Sequence, residues 1–114
     1  MVYHMEATNY ILIDEKTKKR QSFPSLEDLR AALELAMYEI ISQKFPADDE
    51  EQEEQFFMLQ EDLDDEGNFE LDYHSDTYLC DEVAEWLESA LIATGEEDFT
   101  QQILKLVGKQ VEIL

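Results

Sequence analysis

The pattern of apolar residues along the 114-residue chain predicts an α+β fold, in which an antiparallel sheet packs on two or three helices. Three observations carry that expectation. Leu26, Leu29, Leu33, Met37 and Ile40 recur at helical steps, Phe69, Leu71 and Tyr73 alternate with polar residues as in a half-buried strand, and the intervening punctuation is turn-like. The order of elements reads ββα-ββ-αα, and the length has room for one domain over residues 1–114.

Asn9 to Ile13 is β-branched and aromatic enough for a strand, Asp14 to Lys19 reads as a turn, and Arg20 to Phe23 returns as a second strand. Ser25, placed after Pro24 and three residues before Asp28, resembles a helix cap, and Pro46 stops the helix that follows. Residues 47–55 have no apolar side chain beyond Ala47 and read as a mobile acidic loop. Phe56 to Leu63 and Phe69 to Tyr73 then form a hairpin, with Gly67 or Asn68 free to take positive φ in the turn.

Ser75, Asp76 or Thr77 offers a cap for a helix running to about Thr94, closed by Gly95. Leu79, Val83, Trp86 or Leu87, and Ala90 are its expected core stripe. A last helix from about Asp98 to Val107 buries Phe99, Ile103, Leu106 and Val107, and Val111 to Leu114 adds a terminal strand.

Charge says more than pattern. The net charge is -21, and all of it sits on one stretch. Residues 45–104 hold 21 of the 29 acids and no Lys or Arg, while the remainder holds eight acids against all eight bases. With 44% hydrophobic residues the chain is not a disordered acidic tail. Adaptation to high salt would spread the acids, and solubility needs a net charge of only about 2–8. An excess this large costs self-repulsion, which points to a partner.

The acids expected to form the partner-binding face are Asp48, Asp49, Glu50, Glu51, Glu53 and Glu54 in the loop, Glu61, Asp62, Asp64, Asp65, Glu66, Glu70 and Asp72 in the hairpin, and Asp81, Glu82, Glu85 and Glu88 on the helix. Several helix acids stand three or four residues apart, a like-charge spacing that costs about 0.2–0.5 kcal/mol per pair. A surface selected for stability would mix signs.

Catalytic and metal chemistry find little support. Asp62 to Gly67 resembles the first half of an EF-hand calcium loop, with acids at positions one, three and five and Gly at six. Tyr73, however, stands where the bidentate Glu belongs, so no calcium site is expected. His74 and Cys80 could be drawn as a dyad, but surrounding acids would raise a thiolate's pKa. The lone Cys80 allows no internal disulfide. Three glycines leave no phosphate loop, and no cofactor is expected. Met1 to Glu6 lacks the regions of a secretory signal and no run is long enough for a membrane span, so a cytoplasmic protein is expected.

Dense carboxylates on a folded surface imitate a nucleic acid, which carries one charge per ~1.7 Å of duplex. The expectation is a non-enzymatic inhibitor that occludes the basic groove of a nuclease or effector, similar in composition to the small acidic anti-CRISPR and anti-restriction proteins of phages. An acidic immunity protein or chaperone shielding a basic toxin or nucleic-acid-binding protein is the alternative. Either partner presents a basic protein surface, direct nucleic-acid binding is not expected, and self-association stays open.

Overall fold

The computed structural model describes residues 9–46 and 55–113. Among the described residues it is an α+β domain with two antiparallel sheets and three helices. In chain order these are β1 (Tyr10–Asp14), β2 (Arg20–Phe23), α1 (Leu26–Lys44), β3 (Leu59–Leu63), β4 (Phe69–Tyr73), α2 (Asp81–Ala93), α3 (Phe99–Val107) and β5 (Lys109–Ile113). The acidic run read as a loop lies, apart from Gln55, outside the described residues.

The first sheet has the order β2-β1-β5, so the first strand is central and both neighbours run antiparallel to it. Its turn is held by Asp14, whose Oδ1 accepts from the backbone N–H of Lys16 and Thr17. Across the β1–β5 register Asp14 also meets Lys109, with Nζ 3.0 Å from Oδ2. Arg20 on β2 and Glu112 on β5 reach each other over the central strand at 3.3 Å.

Helix α1 begins as its sequence predicts. Ser25 Oγ accepts from Asp28 N–H, Glu27 and Asp28 complement the positive end of the helix, and Lys44 lies in its last turn. Its buried line is Leu29, Leu33, Met37 and Ile41, each four residues after the last. Ile41 thus takes the place expected for Ile40, because a strict four-residue step holds the face to the end.

The remaining boundaries shift for tertiary reasons. The expected strand from Phe56 shortens to Leu59–Leu63, with Phe56 kept as an isolated bridge to Tyr78. Between these, a turn at residues 74–77 interrupts the partner strand: Thr77 N–H donates to His74 O. The Thr77 hydroxyl donates to Met58 O at 2.6 Å and accepts from Met58 N–H. Thr77 is therefore spent on the neighbouring strand and cannot cap a helix. Helix α2 starts only at Asp81, with Cys80 as a cap that makes no side-chain bond.

The buried stripe of α2 is Val83, Leu87 and Leu91, and Trp86 packs edge-on against Phe45 with ring centroids 5.6 Å apart. Helix α3 buries Thr100, Ile103 and Leu104, where Leu106 had been expected. Gly108 then takes a left-handed conformation, φ 69°, and turns the chain directly into β5. Leu12, Leu29, Leu33, Met37, Leu59, Leu71, Leu87, Leu91, Ile103 and Leu104 form one core joining both sheets to all three helices. Truncating such a residue to alanine costs about 2–5 kcal/mol.

The outward N–H groups of the β3–β4 hairpin are partly taken up along both edges. Leu59 N–H donates to Glu34 Oε2 of α1 at 2.7 Å, and Leu71 N–H donates to Thr100 Oγ1 of α3 at 2.8 Å. Two further N–H groups bond to the preceding side chain: Leu63 to Asp62 Oδ1 and Tyr73 to Asp72 Oδ1. A strand edge so occupied makes a poor template for another strand.

Candidate functional site

The tip of the hairpin is built by Asp64. Its Oδ1 accepts from the N–H of Glu66 and of Asn68, its Oδ2 accepts from the Asn68 amide, and Gly67 turns with φ 85°. The backbone N–H of Asn68, then its side chain, hold the Asp64 carboxyl below the usual carboxylate range. Asp64 therefore locks the turn, while Asp65 and Glu66 stand exposed beside it. In the stretch resembling a calcium loop, both oxygens of Asp64 face these local donors. Among the described residues no cluster of three or more His, Cys, Asp or Glu is arranged to hold a metal ion.

Strand alternation sorts the hairpin acids into two sets. Leu59 and Leu71 face the core, and Glu61, on the same side, turns toward α1. Its Oε2 lies 3.1 Å from Arg30 Nε, and Arg30 Nη1 lies 2.8 Å from Glu34. Desolvation opposes the charge on this half-buried guanidinium, but Glu34 and Glu61 outweigh it and raise its pKa. Glu61 is thus committed to holding α1 against β3.

The other set faces solvent. Asp62 sits opposite Glu70, and Gln60 opposite Asp72, so three carboxylates share one face of the ladder. On α2, Asp81, Glu82, Glu85 and Glu88 are exposed opposite the buried stripe.

Tyr73 shares the side of the ladder occupied by Leu59 and Leu71, opposite to Asp72. It lies at the end of β4, with its ring 4.6 Å from that of Phe99 and edge-on to Phe57 at 6.1 Å. Burial, then the charges of Glu88 and of Asp72, push its phenol above the ordinary value. Glu88 of the helix and Asp72 of the strand thus both act electrostatically on this phenol. Asp98 extends the same surface, because it lines a groove with Asp62, Glu70 and Asp72 while capping α3 through Gln101 N–H. Sequence reading recognised Asp98 as the start of a helix but did not place it beside the hairpin.

Among the described residues, Asp62, Asp65, Glu66, Glu70 and Asp72 of the hairpin make no ion pair, nor do the four acids of α2. The cations pair elsewhere, as in Arg20–Glu112, Lys109–Asp14 and Lys105–Glu96. Asp48, Asp49, Glu50, Glu51, Glu53 and Glu54 lie outside the described residues. His74 and Cys80 have separate engagements: His74 Nδ1 accepts from Asp76 N–H, and Cys80 N–H donates to Gln55 Oε1. No described helix is long and apolar enough to cross a membrane.

Comparison with known proteins adds nothing to this geometry: no family model, no curated protein and no solved structure matches the chain.

Proposed function

We propose that the chain is a non-catalytic, nucleic-acid-mimicking inhibitor of the anti-restriction or anti-CRISPR kind, which occludes the basic groove of a nuclease or effector. One observation supports this above the others: the acids on the hairpin's outer face and on α2 are exposed and, among the described residues, make no ion pair. A helix of 13 residues is roughly 20 Å long and a five-residue strand roughly 17 Å, lengths that span several phosphates of a duplex. Unpaired carboxylates on rigid elements would steer a basic partner into place and then exclude its nucleic acid.

The test is capture of partners from a host lysate with salt-graded elution, followed by competition between this protein and nucleic acid for the captured partner. Mutual exclusion and a steep loss of affinity with salt are expected. The charge-reversal set is Asp65, Glu66 and Glu70 to Lys, and Asp81, Glu85 and Glu88 to Lys. Asp64 is spared because the turn depends on it. Single changes such as Glu85→Ala should alter binding by only about 0.2–1 kcal/mol, whereas a reversed set should abolish it. A ternary complex with nucleic acid still bound in the groove would exclude mimicry. A captured basic toxin that needs no nucleic acid would favour shielding by an immunity protein or chaperone instead.

A further inference from the structure

We infer that β5 is a docking edge for an extended segment of a partner protein in which basic and apolar side chains alternate. Glu15 N–H donates to Gly108 O at 2.9 Å in the β1–β5 register. By antiparallel alternation Gln110 and Glu112 then bond toward β1, and Lys109, Val111 and Ile113 turn their N–H and C=O groups outward. β5 ends the β2-β1-β5 order, and among the described residues neither Val111 N–H nor Ile113 N–H has a backbone or side-chain acceptor. In the hairpin, by contrast, four of the six outward N–H groups, those of Leu59, Leu63, Leu71 and Tyr73, are occupied.

A groove of about 580 Å³ is lined by Val111 and Ile113 of the open edge, by Gln101 of α3, and by Asp64, Glu70 and Asp98. No Lys or Arg lines it. An added strand would gain main-chain hydrogen bonds from β5, place alternate apolar side chains beside Val111 and Ile113, and bring basic side chains to the carboxylates. Charge complementarity decides the occupant: a second copy of this chain would set acid against acid.

This inference does not rest on mimicry: its hydrogen bonds come from a backbone edge, although Glu70 and Asp98 border both surfaces. The probe is a short synthetic peptide of alternating lysine and valine, added to the full chain and followed by amide NMR and hydrogen exchange. Slowed exchange at Val111 and Ile113 is expected. A peptide of the same charge, N-methylated at every second residue, should bind roughly tenfold more weakly, the equivalent of one lost hydrogen bond. Ile113→Pro removes an outward donor along with a groove side chain, so it should weaken the parent peptide by more than Ile113→Ala does while the fold is kept. Equal binding of both peptides, or perturbation confined to α2, would reduce the effect to charge attraction and overturn the assignment. Protection of Val111 without peptide, together with dimerisation, would also overturn it by showing a second copy at the edge. Reversal of Asp81, Glu85 and Glu88 should leave peptide binding at β5 intact, so the two proposals fail separately.

Discussion

Thr100 Oγ1 accepts a 2.8 Å hydrogen bond from Leu71 N–H, joining α3 to the open side of β4. Thr100 is 3% exposed, so water cannot replace that acceptor freely. Thr100→Val keeps the volume and leaves the donor unsatisfied, at a cost of about 1–3 kcal/mol. Thr100→Ser should retain most of the stability. Urea unfolding of the two variants makes the comparison, and a larger loss in Thr100→Ser than in Thr100→Val would assign the effect to the methyl group.

The Arg30 network should behave as a unit. Arg30→Met leaves Glu34 and Glu61 part-buried and facing one another, with an expected loss of about 1.5–3 kcal/mol. Adding Glu61→Gln should recover part of it, since the repulsion then disappears. Denaturation midpoints of the single and double variants measure the coupling. A simple sum of independent losses would show that the two acids do not share Arg30.

Stability at low pH should depend on Asp14. The Thr17 N–H, with Lys109 next, holds this carboxyl well below the usual carboxylate range. A depressed folded value means that its contribution is complete above the unfolded pKa of about 3.9 and is lost as pH falls toward the folded value. Asp14→Asn should therefore flatten the acid limb of the stability curve relative to the parent. Urea midpoints taken from neutral pH down through that limb are the measurement, and parallel curves would remove Asp14 from the account.

Tyr73 reports whether the two acidic surfaces meet in solution. Its phenol, raised by burial and by Glu88 and Asp72, should titrate closer to the ordinary value of about 10 in Glu88→Gln. Glu82→Gln, outside the set of charges acting on Tyr73, serves as the control. Carbon-detected NMR of the tyrosine rings follows the titration directly. An unmoved Tyr73 in Glu88→Gln would separate α2 from the hairpin.

Much of the fold was legible because its signals are local. Ser25 and Asp28 sit within one turn, and Gly67 supplies the positive φ the hairpin needs. What escaped depended on distant partners. Ser75 to Thr77 look like a helix cap until Met58 claims the Thr77 hydroxyl, and Thr100 looks like a surface residue until Leu71 needs an acceptor. The acidic face was legible in composition, since residues 45–104 carry no cation of their own. The engagement of Glu61 was not, because Arg30 is 31 positions away. Nor did periodicity place Asp98 or Tyr73 among the acids.

The central strand β1 has one neighbour from the next few residues and the other from nearly the far end of the chain, as the Asp14–Lys109 pair, 95 positions apart, makes plain. During synthesis β1 and β2 can pair early, yet the other flank of β1 stays bare until β5 has been made. Closing so long a loop slows folding and leaves an apolar strand exposed in the meantime. The same closure makes the finished domain resistant to piecemeal loss, because releasing β5 uncovers Leu12 and Val111 together. Protease nicks between β5 and α3 should therefore unravel the domain as a whole.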